Sequence, residues 1–229
     1  MLWKKNKLIF IHIPKCGGTS IENSLNFIEK GKYWGFDKKI SKKLNFPHEL
    51  QHMTYNAYKK LIKNFKDYKI FTIVRNPFDR AISLYKDTKF KRSDIRKYLQ
   101  LKEKFTFNEF LIKVQKSNHI HHKNQIYFLN NLNLNKIEVL RFENFENEFK
   151  SFLNNYKLKT QIKKSNPSKK FIFEKNLDYY NNTNNIKLVE QKFSDDLKFL
   201  KYSFNSFRSD QKFFLVKKFK KFILRKIYS

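Results

Sequence analysis

An apolar segment that leads into a glycine-containing turn is the feature that most constrains the fold of this chain. Residues 7–13 (KLIFIHI) form a run typical of a buried strand, and residues 14–20 (PKCGGTS) follow directly. The two adjacent glycines allow the backbone to approach a ligand closely. A helix that begins just after them would aim its unpaired N–H groups at that ligand. The segment therefore predicts a strand, a loop and a helix that together bind a phosphate-like anion.

The position of the lysine separates this loop from a Walker A motif. That motif has glycine, four residues, and then glycine, lysine and serine or threonine. Aligned on Gly18, this chain has Ile13 at the first glycine and Thr19 at the lysine position, while Lys15 precedes the glycines. The loop is therefore predicted to bind a phosphate-like group without the Mg-ATP geometry of ordinary P-loop enzymes.

A second strand-to-helix segment carries an arginine. Residues 68–74 are typical of a buried strand that ends at Arg75, after which Asn76 and Pro77 suit the start of a helix. A Mg-dependent P-loop enzyme holds its metal with an aspartate at such a strand end. An arginine suits a bidentate phosphate contact instead, and Ser83 lies about two helical turns further along. Two anion sites indicate a ligand with two separated anionic groups.

In these segments the chain resembles sulfotransferases that use 3′-phosphoadenosine 5′-phosphosulfate (PAPS), and most closely the carbohydrate sulfotransferases of the family 2 type. Residues 14–20 resemble their 5′-phosphosulfate loop, and residues 75–85 resemble their 3′-phosphate motif. Weaker matches follow in the expected order at residues 51–54, 140–145, 166–168 and 195–204. The resemblance covers about residues 7–204. It implies metal-free, in-line transfer of a sulfuryl group from PAPS to a hydroxyl of a glycan or glycolipid, with 3′,5′-adenosine bisphosphate as the product.

The resemblance also implies a set of donor-binding residues. The loop would hold the 5′-phosphosulfate, while Arg75 and Ser83 would hold the 3′-phosphate. Lys15 would in addition be catalytic, because it would stabilise the charge that develops on the leaving 5′-phosphate. The donor-binding residues implied in this way are Lys15, Cys16, Gly17, Gly18, Thr19, Ser20, Arg75 and Ser83.

The catalytic base is predicted among the histidines. Relatives place a catalytic histidine between the two motifs, where this chain has His52. A histidine of ordinary pKa is mostly neutral near pH 7 and can accept a proton, and a positioned base contributes about 10²–10⁴-fold. His48 lies four residues earlier, could share a helical face with His52 and is the alternative base. A third alternative is that neither is the base, and His12 is expected to pack beside the site.

Several other residues keep more than one interpretation. His119, His121 and His122 could bind a metal, contact the acceptor or form a packed or solvated patch. No acidic residue lies close to them in sequence, so we expect no metal. Lys169 and Lys170 could contact the donor. Cys16 is the only cysteine, which excludes an intramolecular disulfide, and it is expected to be a small residue that fits the loop.

The charge of the chain is extreme. Its 229 residues include 50 Lys and Arg against 20 Asp and Glu, which gives a formal net charge of +30. Such a charge attracts acidic glycans, nucleic acid or anionic membranes, although an AT-rich genome would also enrich lysine. Two alternative functions therefore remain: a P-loop kinase of a small molecule, which would depend on Mg²⁺, and a non-enzymatic polyanion- or RNA-binding protein. We expect no specific nucleic acid partner.

The order of strands and helices predicts an α/β fold with a central parallel sheet, of the P-loop, three-layer type that the resemblance implies. A third strand is expected at 136–142, and a long helical stretch at about 91–131. Residues 1–208 are predicted to form one domain. Residues 209–229 are predicted to form a basic amphipathic helix that either packs on this domain or lies on an anionic membrane. We expect no signal peptide or transmembrane segment and a cytoplasmic location, with the inner membrane surface as an alternative.

Overall fold

A computed structural model describes residues 1–25, 35–130, 136–162 and 176–210 of the chain. The chain divides into two compact units. The first consists of Met1–Arg75 and Asn118–Lys170, and the second of Asn76–Ser117 and Phe171–Ser229. The first unit contains the sheet and the predicted phosphate loop, and the second contains the helix that begins with Pro77.

A four-stranded, mostly parallel sheet organises the first unit. In sheet order, the strands are β1 (Leu2–Trp3), β2 (Leu8–Ile11), β3 (Lys69–Val74) and β4 (Ile137–Arg141). The pairs β2–β3 and β3–β4 are parallel, whereas β1 pairs with β2 in the antiparallel direction. The three predicted strands and the α/β class are thereby confirmed. The two-residue β1 was not predicted, because so short a strand carries no alternating or continuous apolar pattern.

The apolar runs form strands because both faces of the sheet are covered. All four residues of β2 are at most 1% exposed, and β3 is buried from Ile70 onwards. The ring of Phe71 lies 5.0 Å from that of Phe10 and 4.3 Å from that of Phe152 on a neighbouring helix. Continuous apolar strands of this kind are typical of parallel sheets with helices on their faces.

α-Helices occur in both units. The described residues include the α-helices α1 (Gly18–Ser24), α2 (Lys38–Leu44), α3 (Tyr55–Leu61), α4 (Pro77–Phe90), α5 (Ser93–Tyr98), α6 (Phe107–Gln115), α7 (Gln125–Leu129), α8 (Phe145–Asn155), α9 (Thr183–Lys192) and α10 (Ser194–Phe199). Residues 204–210 are helical as well. Helix α4 begins as predicted: Pro77 is its first residue, and the side-chain oxygen of Asn76 accepts a hydrogen bond from the Phe78 N–H.

The second unit contains an aromatic core and a buried ion pair. Phe78 of α4 contacts Tyr180, Phe204 and Phe207 at ring-centroid distances of 5.0–6.0 Å. The Arg80 guanidinium lies 3.8 Å from the Asp196 carboxylate, and both side chains are fully buried.

The predicted long helix over 91–131 was wrong. The structure has α5, α6, a 3-10 turn at Ile120–His122 and α7 in that region. Gln100 adopts a left-handed backbone conformation just after α5, and α6 begins at Phe107, after the N-cap residue Thr106 and its capping box with Glu109. Local hydrogen bonds of this kind stop and restart a helix even where the apolar spacing continues.

Two further predictions concern the ends of elements. The helix predicted after the glycines is α1, which ends at Ser24. Residues 211–229 lie outside the described residues, so the amphipathic helix at 209–229 and the division into domains stay predictions. Within the described ranges, none of the helices combines the length and apolar character needed to cross a membrane.

Candidate active site

The loop between β2 and α1 contains two residues with left-handed backbone conformations. Lys15 (φ 64°) and Gly17 (φ 89°) both adopt left-handed conformations. Gly17 is the N-cap of α1 and has no side chain that could cap the helix, and its backbone oxygen accepts a hydrogen bond from the Ser20 N–H at 3.0 Å. Since the first turn of a helix has N–H groups without intrahelical acceptors, the loop can bind an anion through the backbone near Gly18 and Thr19.

Arg75 lies against this loop, as its place after β3 predicts. Its Nη1 donates a hydrogen bond to the backbone oxygen of Lys15 (3.1 Å), and both residues are half-buried. Strand β3 pairs with β2 in parallel, which brings the carboxyl ends of both strands to the same edge of the sheet. Two cationic residues from separate sequence motifs therefore meet at the loop.

Gln125 fixes this arrangement and was missed by the sequence analysis. Its amide group bonds to both backbone groups of Arg75, since its Oε1 accepts from the Arg75 N–H and its Nε2 donates to the Arg75 oxygen, each at 2.8 Å. The same Oε1 accepts from the Cys16 thiol at 3.1 Å. The fully buried Cys16 side chain therefore points into the protein, as expected for a residue that fits the loop. No signal in the sequence marks Gln125 among the many polar residues around it.

Phe142 packs beneath the same cation. The Arg75 Cζ lies 4.2 Å from the centroid of its ring, which is within cation–π range. The ring also leaves no room for a side chain at position 17, because a Cβ added to Gly17 would lie 2.8 Å from Phe142 Cδ2. Phe142 belongs to the weak match at 140–145, which was the available signal for its place in the site.

His12, at the end of β2, connects the loop to two other groups. Its Nδ1 lies 2.6 Å from the buried Glu22 carboxylate on α1 and donates a hydrogen bond to it. Its backbone oxygen accepts a hydrogen bond from His52 Nδ1 at 2.9 Å. The His12 ring packs against the backbone of Gly18. His12 is therefore a buried supporting residue, as expected, and Glu22 is a partner that the sequence analysis did not identify.

Gly18→Ala is expected to destabilise the protein by about 1–3 kcal/mol, the usual cost of forcing an extra group into a packed site. The new Cβ would lie 2.8 Å from His12 Cε1 and would overlap Cδ2 and Nε2. The ring cannot move aside easily, because Glu22 holds its opposite edge. Urea unfolding followed by circular dichroism measures the loss.

The matched control is the same substitution in a His12→Ala background. There the added Cβ at position 18 meets no ring, so the double variant should lose less stability than the sum of the two single variants. The interaction energy should fall within the range of about 0.5–3 kcal/mol found for contacting residues. Strict additivity would contradict the overlap with His12.

His52 is the predicted base that the structure connects to the loop, through its bond to His12. It ends a 3-10 turn at Leu50–His52, it is 5% exposed, and its Nδ1 bonds to the His12 oxygen. Because a carbonyl oxygen only accepts, His52 Nδ1 carries a proton, and in the neutral imidazole Nε2 therefore has the lone pair. The Nε2 atom lies 3.9 Å from the Glu49 carboxylate. His52 can therefore accept a proton at Nε2.

His48, the alternative base, has a different environment. It lies in a bend rather than on a helix, so the predicted shared helical face with His52 was wrong. Its ring packs edge-on against Phe46 at 5.2 Å. Burial, followed by the charge of Lys123, lowers the pKa of His48 below its ordinary value. His48 is therefore biased toward its neutral form, and the structure gives it no bond to the loop among the contacts of the described residues.

The three histidines near residue 120 form part of one cluster with His52. The His121 ring lies 5.1 Å from that of His52 and 5.2 Å from that of His119. His121 and His122 are buried. The fold therefore brings these histidines to the predicted base rather than to a separate surface patch. Lys169 and Lys170 lie outside the described residues.

Residues of the predicted 3′-phosphate motif beyond Arg75 belong to the second unit. Ser83 is half-buried on α4. Tyr85 is buried, donates a hydrogen bond to the Phe105 oxygen and accepts one from Lys89. Arg80 is the fully buried partner of Asp196. Arg80 and Tyr85 therefore support the core of this unit, while the role of Ser83 in donor binding stays a prediction.

These features together bring Lys15 and Arg75 to one loop, and the residue that follows β3 is an arginine rather than an acidic residue. The family model described as the sulfotransferase family matches residues 1–215. No curated protein and no solved structure matches the chain significantly. The matched region contains the loop, Arg75 and His52, and the mostly parallel sheet is consistent with a sulfotransferase-like fold. The chain therefore belongs to the sulfotransferase family, whose members transfer a sulfuryl group.

Proposed function

We propose that this protein transfers a sulfuryl group from PAPS to a hydroxyl of a carbohydrate. The observation that carries the proposal is the contact between two cationic motifs at the loop. Lys15 has a left-handed backbone conformation shortly before α1 begins, and Arg75 bonds to its backbone. An arginine at this strand end favours binding of an anionic donor over the aspartate-held Mg²⁺ of a P-loop kinase.

In the proposed reaction, PAPS supplies the sulfuryl group and a leaving phosphate. The loop backbone binds the 5′-phosphosulfate, Arg75 and Ser83 bind the 3′-phosphate, and Lys15 stabilises the negative charge on the leaving oxygen. A bond forms between the acceptor oxygen and sulfur while the bond between sulfur and the phosphate oxygen breaks. Catalysis of this kind depends mainly on positioning and electrostatic stabilisation.

His52 is the proposed proton acceptor. The proton of the acceptor hydroxyl moves to Nε2, which has the lone pair because Nδ1 donates to the His12 oxygen. The Glu49 carboxylate, 3.9 Å from Nε2, would stabilise the imidazolium that results. A histidine oriented through its other nitrogen is the usual arrangement for a general base.

A glycan or glycolipid is the proposed acceptor, and acidic and lipid-linked glycans are the candidates that suit the protein's charge. The net charge of +30 would attract an acidic acceptor to the enzyme. The predicted basic helix at 209–229 would place the enzyme on an anionic membrane where lipid-linked glycans are found. The proposal includes a cytoplasmic location, with peripheral membrane contact as the alternative, and no specific nucleic acid partner.

The test of donor binding compares three nucleotides. We expect 3′,5′-adenosine bisphosphate to stabilise the protein by about 2.7 kcal/mol at 100 times its Kd. Adenosine 5′-monophosphate and Mg-ATP should stabilise it much less, because they lack the 3′-phosphate. Arg75→Ala should remove the selectivity, whereas Arg208→Ala, an exposed arginine in the helical residues 204–210, should retain it. Thermal unfolding with and without each nucleotide measures the effect.

The alternative functions predict different results from the same experiment. A preference for Mg-ATP would overturn the proposed donor and support a small-molecule kinase. Stabilisation by any polyanion, without selectivity and lost in high salt, would support a polyanion- or RNA-binding protein. Each variant is compared with its own ligand-free sample, so a change in intrinsic stability does not affect the comparison.

A further inference from the structure

Three metal-ligating side chains converge beside the loop in the first unit. One donor atom from each of Glu49, His52 and His121 lies within 4.8 Å of the other two. His52 and His121 are each 5% exposed, and their rings are nearly perpendicular, at 87°. The Glu49 side chain is 25% exposed, which leaves a way in for a small ion. Among the described residues, this is the group of His, Cys, Asp or Glu side chains whose ligand atoms lie close enough together to bind one metal ion.

The local backbone explains how distant residues meet here. Glu49 is the N-cap and His52 the last residue of the 3-10 turn at Leu50–His52, where residues three apart lie on the same side. His121 is in the middle of the second 3-10 turn, Ile120–His122. No carboxylate lies close to His119, His121 and His122 in sequence. The fold supplies one from Glu49, in a separate and much earlier segment of the chain.

His52 and Glu49 are each held by hydrogen bonds of the kind that orient metal ligands. His52 donates its Nδ1–H to the His12 oxygen at 2.9 Å, which presents the Nε2 lone pair to the cluster. Glu49 Oε2 accepts a hydrogen bond from Gln51 Nε2 at 2.8 Å. Gln51 is itself held, because its Oε1 accepts from the Gly35 N–H at 2.9 Å. Protein groups that orient a histidine through its other nitrogen and hydrogen-bond a ligating carboxylate are typical of metal sites.

The distances require only small movements. Ligand atoms around a tetrahedral zinc ion are about 3.4 Å apart, since zinc–nitrogen and zinc–oxygen bonds are about 2.0–2.2 Å. The Nε2 of His52 and the Oε2 of Glu49 are already 3.9 Å apart. Side-chain rotations that move donor atoms by about 1 Å would complete the site. Two imidazoles and one carboxylate suit Zn²⁺, Co²⁺ or Ni²⁺ and not Mg²⁺, which prefers oxygen ligands alone.

We propose that Glu49, His52 and His121 form a site for Zn²⁺ or a similar transition-metal ion, and that the bound ion inhibits the enzyme. The ion would bind the same Nε2 lone pair that accepts the proton in the proposed reaction. Inhibition rests on the proposed role of His52 as the base, whereas binding of the ion does not depend on that role.

Metal binding is measured first, on the complete untagged chain after removal of metals with a chelator. Co²⁺ is the probe, because its visible absorption reports ligand type and geometry, and Zn²⁺ is added to displace it. We expect one Co²⁺ per chain. Loss of an orienting partner alone usually weakens metal binding about 10–100-fold, so loss of a ligand in His121→Gln or Glu49→Gln should weaken it by at least that much. His48→Gln makes the same chemical change at a half-buried histidine outside the cluster and should leave binding unchanged.

Two results would overturn the metal site. One is the absence of saturable Co²⁺ binding, and the other is wild-type affinity in both ligand variants. Circular dichroism of the metal-free samples identifies any variant that fails to fold. Glu49→Gln is the safer of the two in this respect, because its side chain is partly exposed.

Inhibition is measured next, as the ratio of turnover with and without Zn²⁺ for each variant. We expect Zn²⁺ to inhibit the wild type and His48→Gln at the concentration at which it binds, and Glu49→Gln to require at least about tenfold more. If Zn²⁺ binds and turnover continues unchanged, the role of His52 as the base is wrong, while the metal site stands. If no metal binds but PAPS is used, the metal site is wrong, while the proposed function stands.

Discussion

Replacing Lys15 with methionine is expected to lower kcat for sulfuryl transfer by about 10²–10³-fold, the usual cost of removing one group that stabilises transition-state charge. Lys15 is proposed to neutralise the leaving 5′-phosphate, where negative charge increases as the bond to sulfur breaks. Its backbone is fixed by the bond from Arg75 to its oxygen, so the half-buried side chain starts from a defined position in the loop.

Methionine is the appropriate replacement for this position. Like lysine, methionine has a Cβ and an unbranched stem. The left-handed backbone at φ 64° therefore costs the wild type and the Lys15→Met variant about the same strain. Because the lysine acts mainly on charge that develops during the reaction, kcat should fall more than the KM for PAPS rises. Steady-state release of 3′,5′-adenosine bisphosphate with a carbohydrate acceptor measures both quantities.

Lys97→Met is the matched control for Lys15→Met. Lys97 is an exposed lysine on α5, and its replacement changes the net charge by the same amount without touching the loop. It should leave kcat unchanged. A loss in Lys15→Met of less than about tenfold, or 1.4 kcal/mol, would show that Lys15 does not stabilise the transition state. Equal losses in both variants would assign the effect to the general charge of the protein.

The largest effect on stability is expected for Asp196→Asn, at about 3–5 kcal/mol. Asp196 lies 3.8 Å from Arg80, and the structure buries both side chains completely. Arg80 also lies under the Phe193 ring, with Cζ 5.4 Å from its centroid. Removing the carboxylate charge leaves a guanidinium in the interior without its counter-ion, and that cost exceeds the value of the pair itself.

The adjacent residue provides the control for this substitution. Asp195→Asn makes the same change one position earlier on α10, where the side chain is exposed, and should change stability by no more than about 0.5 kcal/mol. Chemical denaturation of both variants, monitored by circular dichroism, gives the two free energies of unfolding. Similar small losses in both would mean that the buried pair contributes little.

The sequence was sufficient to predict the three parallel strands and the loop at the end of the first. Continuous apolar runs such as Leu8–Ile11 are buried on both faces, and this requirement is visible in the residues themselves. The start of α4 was predictable for a similar reason, because Asn76 and Pro77 act through local hydrogen bonding and a fixed φ angle. The long helix at 91–131 was not correct, since the capping box at Thr106 competes with the apolar spacing.

The parts of the candidate site that could be predicted are those where the residue type and its position together indicate one kind of chemistry. Lys15 and Arg75 stood out because cations beside glycines and strand ends suit phosphate groups, and the resemblance to sulfotransferases rests on those same motifs. Gln125 and Glu22 did not stand out. Gln125 bonds to a residue that is remote in sequence, and Glu22 bonds to a histidine with which it shares no recognisable motif. Amides and carboxylates are also common on any protein surface, so neither residue type is a signal by itself.

The sequence by itself determined the α/β class, the loop between β2 and α1 and the family, because each depends on local patterns: apolar runs, glycine positions and the spacing of cations. Only the tertiary structure decided which groups meet around that loop. It bonds Arg75 to the Lys15 backbone, Gln125 to the Cys16 thiol, and His52 to the His12 oxygen. These three contacts join residues 40 to 109 positions apart, and their existence depends on how strands and helices pack, for which the chain has no local signal.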